Sequence, residues 1–442
     1  MKLDRLIRGA EVARSSGRRR LDIGISDGLI VALEDEITGA ELGKGGEIDG
    51  SGLVAYPGVI DSHLHFNDPG RDHWEGVATG SAALAAGGGV CFVDMPLNSS
   101  PPTLDGPSFD AKLEVCKARS RTDFGLYGGL TPINLPRMEE LAERGVLGFK
   151  AFMCPSGIDD FPYADDLTLY RGMEIASRLD LPVLLHAESA SITGALSEAM
   201  RARGRRDVRS FLESRPILAE LEAIGRALLY AEETGCRVHI VHVSNPKGVE
   251  LVRRAAGAGR VDATCETCPH YLMLTDEDME RIGPRAKCAP PLRDAQTRDA
   301  LIGELSAGRI DTVGSDHSPA PRELKETGDF ATAWGGIAGV QTTLRSLLTL
   351  GIADERIVAL LAENPASRFR MARKGGIEIG NEANIALLDL SVSRELERGE
   401  LRDRHQLSPY VGMTFTGEVR SVYLRGEEIG EETRGRLVTP EV

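Results

Sequence analysis

What the chain lacks narrows the field first. Its 442 residues hold seven cysteines, an odd number scattered without framework spacing. That argues against a disulfide-stapled secreted fold and suits a reducing cytoplasm. No apolar run is long enough to span a membrane, and the opening MKLDRLIRGAEVARSSGRRR has no apolar core of signal-peptide length. Neither a membrane nor an export route is expected. Arg18-Arg19-Arg20 is followed by Leu-Asp-Ile-Gly-Ile, not by the long apolar segment of a twin-arginine signal. Basic residues are in deficit, 52 Lys and Arg against 67 Asp and Glu, for a net charge of −15. Such a chain does not attract phosphate backbones, so no nucleic-acid partner is expected. The one basic run, RARGRRDVR (201–209), reads as a solvated face. There is no solenoid-length repeat, no low-complexity segment and no nucleophile-elbow motif.

What remains is ordinary for a globular enzyme: 41% apolar and 27% charged residues, with 50 glycines to supply tight turns. The length predicts at least two domains. Residues 1 to about 55 read as short strands; LDIGISDGLIVAL alternates around Asp27-Gly28, a hairpin signal. The C-terminal stretch repeats the flavour, with NIALLDL and GEVRSVYLRGEEI and a turn at Gly426. Neither end carries enough apolar surface to stand alone. One small β domain, a β-sandwich built from 1–55 and 377–442, is expected, with 56–376 inserted between its halves.

The middle alternates short apolar runs with longer helical stretches. The runs are GVIDSHLHF, GVCFVDMP, FGLYGGL, LGFKAFM, PVLLHAE, RVHIVHVS, VDATCETCP and DTVGSDHS. Eight strand–helix units predict an α/β fold, a (β/α)₈ TIM barrel with insertions. In such barrels the chemistry sits at the C-terminal strand ends. Those ends carry His63 and His65, Lys150, His186 and Glu188, His242 and Ser244, and Asp316 and His317.

His63 and His65 are two apart on a strand and share a face. One histidine there is more often a hydrogen-bonded core residue than a ligand. Four histidines and an aspartate at one mouth would be costly to bury unpaired, and a divalent metal (zinc, manganese, iron or cobalt) removes that cost. In the sixth run His239 and His242 face opposite sides. His242 is nearer the strand end and is the expected ligand; His239 takes a structural role. Lys150, between Phe149 and Ala151 on an interior strand, has two readings. Beside metal cations it would be neutral and open to CO₂, giving a bridging carbamate; alternatively it snorkels to the surface.

At this point the chain resembles the cyclic amidohydrolases: dihydroorotase, hydantoinase, dihydropyrimidinase and allantoinase. Their pattern is His-x-His on strand one, a carboxylated Lys on strand four, His on strands five and six, and Asp on strand eight. It maps onto His63, His65, Lys150, His186, His242 and Asp316, and the likeness spans nearly the whole chain. It looks most like the allantoinase branch, on HFNDPGRDHWEG (65–76), DMPLNSSPPT (94–103), HVSNPKGVE (242–250), ETCPHYL (266–272), KCAPPLR (287–293), SDHSP (315–319) and AWGGIAG (333–339). The resemblance implies two divalent metal ions per subunit, zinc first, and a CO₂-derived N6-carboxylysine at Lys150. It further implies a metal-bridging hydroxide, Asp316 as proton shuttle, and opening of the small molecule allantoin to allantoate. A homo-oligomer, tetramer or dimer, is implied as well.

Dihydroorotases usually carry an Arg two residues after the second His, to hold a carboxylate. Asn67 stands there, which argues for a neutral ring; Arg71 is a nearby substitute. Expected substrate contacts are Asn67, Asn98, Ala289 and Gly335, with Gly336 also offering a backbone amide. His73 and Trp74 shape a lid or pack. His317 braces Asp316 from behind, Glu188 is structural, and His270 lies near the mouth. Cys265 and Cys268 form a lone C-x-x-C with no second pair, facing opposite sides of a strand, which argues against a zinc or redox role. Two alternatives stand: another cyclic amidohydrolase, such as a hydantoinase or dihydroorotase, or a non-catalytic scaffold, which would typically have lost ligands.

Overall fold

The computed structural model describes residues 1–441. Eight strands form one hydrogen-bonded sheet drawn from both ends of the chain: Lys2–Arg14, Gly17–Ser26, Leu29–Glu34, Glu41–Asp49 and Val54–Pro57, with Ile385–Glu395, Thr414–Leu424 and Glu427–Glu428. The first strand is long enough to be shared. It pairs with Gly17–Ser26 along most of its length, with Glu41–Asp49 over its first half and with Val54–Pro57 over its second. Asp27 and Gly28 both have positive φ, 51° and 76°, as a two-residue hairpin of matching twist requires. Arg425 and Gly426 repeat the device. Ile7, Val12 and Ile23 from one end pack with Ile377, Ile385 and Tyr423 from the other, so the main core of the sheet is shared; a smaller cluster of Leu3, Leu6, Ala32 and Ile37 comes from the N-terminal half alone.

The middle of the chain is the barrel. Its strands are Val59–Leu64, Gly89–Asp94, Asp123–Leu126 continued by Gly128–Gly129, Phe149–Phe152, Val183–His186, Val238–Ile240, Ala263–Thr267 and Thr312–Val313. All neighbours pair in parallel. The ring closes between eighth and first: His65 N–H donates to the His317 carbonyl (2.8 Å) and Asp316 N–H to the His63 carbonyl (2.9 Å). Closure therefore runs through the residues expected to bear the chemistry.

The helices start where short polar side chains can take orphan amides. Asn245 accepts from Gly248 N–H ahead of Pro246–Gly257, and Asp165 from Thr168 N–H ahead of Asp166–Arg178. Ile217–Thr234 ends on Gly235 at φ 67°.

The C-terminal tail leaves the small sheet. Phe124 N–H donates to the Arg436 carbonyl and Val438 N–H to the Phe124 carbonyl, so residues 435–438 run beside the third barrel strand. Asp123 on that strand, 1% exposed, receives Lys374 Nζ (2.6 Å) and Arg425 Nη1 (2.6 and 2.7 Å) and ties barrel to sheet. Among the described residues, no helix is long and apolar enough to cross a membrane, and all seven cysteines are free and buried.

Candidate metal centre

Side chains from five strand ends meet at the mouth of the barrel. His63 and His65 hold their Nε2 atoms 3.3 and 3.4 Å from the same Asp316 oxygen. One ligand atom from each of the three lies within 4.8 Å of the others. The ring of His242 sits 5.4 Å from that of His63 and 4.6 Å from that of His186. Lys150 is fully buried, with Nζ 5.1 Å from the Phe152 ring centroid, and Phe152 stacks on His186 at 4.6 Å. The surface reading of Lys150 is thereby excluded.

Two of these positions hold unusual backbone. His242 and Asp316 have φ of 43° and 46°, left-handed values that non-glycine residues rarely adopt. Strain of this kind persists only where the surroundings over-determine it. Here it turns both side chains inward just past the short sixth and eighth strands.

The donor set suits a divalent metal, and the polar atoms left without partners say the same. Lys150 Nζ, His65 Nδ1 and His242 Nδ1 are buried with no hydrogen-bond partner among the described residues. Burial pushes Lys150 down to about 8, against the pull of Asp316 and Glu266. Burial also lowers His65, His186 and His242, which favours the neutral imidazole a metal needs. Burial alone would raise Asp316, but His63, His65 and His242 outweigh it and hold the carboxyl well below its usual range.

The supports around the ligands were only partly foreseeable. Glu266 reaches His63 Nδ1 at 2.6 Å, and His239 lies beneath, 2.7 Å from Thr264 Oγ1. Burial would raise Glu266, but His63 and His239 bring it down to about 2. Glu188 lies 2.8 Å from His186 Nε2 and 2.5 Å from Arg215 Nη1. Cys154, His186 and Glu188 form a second grouping of ligand atoms. The guanidinium of Arg215 already supplies its positive charge, and burial pushes the Cys154 thiol up to about 12. Arg215 and Cys154 carry no periodic or motif signal and were missed from sequence.

A cavity of about 530 Å³ opens above the cluster, within the range of small-molecule sites. It is lined by His63, His65, Lys150, His186, His242 and Asp316, and also by Asn98, Ala289 and Gly335. Asn67 is not among the lining residues. Its φ of 63° turns the side chain toward the Pro319 carbonyl (3.5 Å), so it sits behind the wall, contrary to the expected contact. Arg71 is committed to the carbonyls of Asn98 (3.1 Å) and Ser99 (3.3 Å) and does not replace a carboxylate-binding Arg. The Gly336 N–H is spent on the Lys287 carbonyl (2.8 Å), which leaves Gly335 as the glycine free of that bond. Trp74 packs edge-on against Trp334, while the His73 carbonyl is paired with His405 Nε2 at 2.9 Å. His317 accepts Gly339 N–H at 3.1 Å through Nδ1 and braces the strand end. His270 is buried, with neither ring nitrogen partnered among the described residues.

Comparison with known proteins agrees with this geometry. Residues 54–429 match the Amidohydrolase family, which is most of the chain. The chain belongs to that family. An allantoinase of Deinococcus radiodurans is 51% identical over 451 residues, covering 100% of this chain and 99% of that one. An allantoinase of Rubrobacter xylanophilus is 51% identical over 449 residues, covering 99% and 98%. Among solved structures, the L-hydantoinase (dihydropyrimidinase) of Arthrobacter aurescens superposes with a TM-score of 0.95 at 34% identity, covering 99% of this chain and 100% of that one. The amidohydrolase fold, barrel plus terminal sheet, is thus shared end to end, and a metal centre goes with it.

Proposed function

We propose that this amidohydrolase is an allantoinase, which opens the cyclic amide of allantoin to give allantoate. The observation that carries the hydrolytic reading is the convergence of four histidines, one buried unpaired lysine and one aspartate on a cavity of about 530 Å³. Full-length identity of 51% to proteins named allantoinase supports the choice of ring.

His63, His65, Lys150, His186, His242 and Asp316 would hold two divalent ions, zinc first among them. The unpaired, fully buried Nζ supports a carbamate on Lys150, because a neutral amine is the form that reacts with CO₂. When bound, such ions activate a carbonyl as Lewis acids and make hydroxide available near neutral pH.

The remaining work falls to side chains. Asp316, held ionised by its histidine neighbours, accepts the proton of the attacking water. It returns that proton to the ring nitrogen as the carbon–nitrogen bond breaks, so water is added across the amide. Asn98, whose Nδ2 lies 3.4 Å from Ser318 Oγ on the cavity wall, would orient the ring, and Ala289 and Gly335 would offer backbone groups. A homo-oligomer, dimer or tetramer, fits the exposed apolar side chains Leu218 and Leu229, about three turns apart on one helix face, with Leu167 on the neighbouring helix. A cytoplasmic location is consistent with seven free cysteines.

The test is direct. Purified protein is analysed for metal and assayed on allantoin, hydantoin, dihydrouracil and dihydroorotate, before and after chelation. The reading expects about two metal ions per chain and preference for allantoin, abolished by chelation. Preference for hydantoin would move the protein to the hydantoinase branch; metal-free protein inert on every ring would revive the scaffold.

A further inference from the structure

One wall of the cavity is built from backbone without regular structure. Ala331 to Gly336 belong to the long connection between the eighth barrel strand and the helix Thr343–Thr349. Loops exposed to a cavity usually satisfy their carbonyls with water. Here the carbonyls are taken by two buried lysines. Lys287 Nζ donates to the carbonyls of Phe330 (2.7 Å), Ala333 (2.7 Å) and Ala331 (3.3 Å). Lys325 Nζ donates to the carbonyls of Trp334 (3.0 Å), Pro284 (3.0 Å) and Gly336.

The arithmetic of donors is complete. An ammonium has three N–H groups, and each of these two has three carbonyl acceptors. Lys287 is 5% exposed and Lys325 2%, and neither has a carboxylate within ion-pair distance among the described residues. A buried ammonium without a counter-charge is expensive, so it is not the default filler of a core. Burial pushes Lys325 down to about 7, with the charge of Lys287 adding to the fall, and Lys287 down to about 8, with Arg215 adding to it. The three carbonyl oxygens around each Nζ are the acceptors that an ammonium can satisfy.

The clamped segment is also closely fitted. Gly336 N–H donates to the Lys287 carbonyl, and Trp334 Nε1 donates to the Ser318 carbonyl (3.2 Å). A Cβ added at Gly336 would lie 2.3 Å from the Ser318 oxygen. Lys287 itself stands two residues before Ala289, on the other side of the same cavity lining. The two lysines thus knit the loop after the seventh strand to the loop after the eighth.

We infer that Lys287 and Lys325 are positioning residues, a pair of buried ammoniums that clamp the Phe330–Gly336 backbone and so set the cavity wall against which the cyclic amide is held. Neither touches the metal ligands. Their loss acts on substrate binding through the position of Gly335 and its neighbours, and leaves the metal cluster and its proton transfer in place. The inference rests on the reading of this cavity as the substrate site.

The molecule carries its own reporter. The chain has two tryptophans, Trp74 and Trp334, and their rings touch edge-on at 4.7 Å beside the clamped segment. All tryptophan emission therefore comes from this spot. The experiment compares wild type with Lys325→Met, Lys287→Met, and the amide variants Lys325→Gln and Lys287→Gln, each as metal-loaded protein. Steady-state kinetics use whichever cyclic amide the wild type prefers, so an error in naming the ring leaves this test intact. The expected result is a rise in KM of about tenfold or more in the Met variants, with kcat changed by less than about threefold. Metal content stays at the wild-type level, tryptophan emission shifts to the red, and the Gln variants, which keep two N–H donors, fall between. Where a Met variant fails to fold, its Gln partner is read by the same four measures. Unchanged KM and emission in a folded, metal-loaded variant overturns the inference. So does a parallel loss of kcat and metal, which would mark the lysines as general structural supports.

Discussion

Glu266 Oε1 lies 2.6 Å from His63 Nδ1, with both side chains sealed from solvent. The carboxyl is held near 2, so it is the acceptor and the ring nitrogen the donor. That fixes the tautomer: the proton is on Nδ1, and the Nε2 lone pair faces Asp316 and the cluster. Glu266→Gln weakens this control, because an amide can present its N–H as easily as its oxygen. Metal affinity should fall about 10–100-fold, measured by competition with a chromogenic chelator. An affinity equal to wild type would remove Glu266 from any role in ligand orientation.

Asp316→Asn keeps the shape of the proton carrier and removes its basicity. Turnover should fall by at least about 10²–10⁴-fold with the protein still folded. Rate and circular dichroism measured side by side check this. Near-normal activity would transfer the proton work to another group.

A carbamate on Lys150 has a spectroscopic signature. Protein equilibrated with ¹³C-bicarbonate and metal should show one carbamate carbon by NMR. Lys150→Arg, whose guanidinium does not add CO₂, should lack the signal and bind about one metal ion fewer. Persistence of the signal in that variant would place the modification elsewhere.

Asp123 is the bolt between barrel and sheet, and its removal should be read as stability. Burial would raise its carboxyl, but Lys374 and Arg425 outweigh that and bring it below the ordinary value. Asp123→Asn leaves Arg425 without its carboxylate and Lys374 with Glu382 alone, at a cost of about 3 kcal/mol. The sign with pH follows from the lowered value. The stabilisation is complete above about pH 4 and is lost as acid titrates the folded carboxyl below that. Urea midpoints between pH 7 and pH 3 should therefore converge for wild type and variant; parallel curves would deny the ion cluster its role.

The ligands were legible because barrel strands speak in a period of two and their ends are marked by histidine. Once eight runs had been counted, His63, His65, His186, His242 and Asp316 fell at corresponding strand ends. Lys150 was legible as a position but not as a state, since only burial separates an interior amine from a snorkelling one. Asn67 shows a different limit. Its distance from His65 was readable, but its direction depends on a left-handed φ that spacing does not reveal. Lys287, Lys325 and Arg215 act through contacts between loops far apart in sequence, 287 with 330–333 and 215 with 188. No periodicity links such pairs, so their roles appear only when the barrel brings the loops together.

The small sheet holds the first strand of the chain and some of its last, and its main core is shared between them. A ribosome delivers those halves at opposite ends of synthesis. The strand Val54–Pro57 has no partner on its Ile385–Glu395 flank until more than three hundred further residues have been made. Only when Ile385–Glu395 arrives can the sheet grow past Val54–Pro57, and only after that can residues 435–438 lie down on the third barrel strand. The native contacts that finish the molecule are those of greatest sequence separation, which places its completion after translation and makes the waiting edge the point where a chaperone has something to protect.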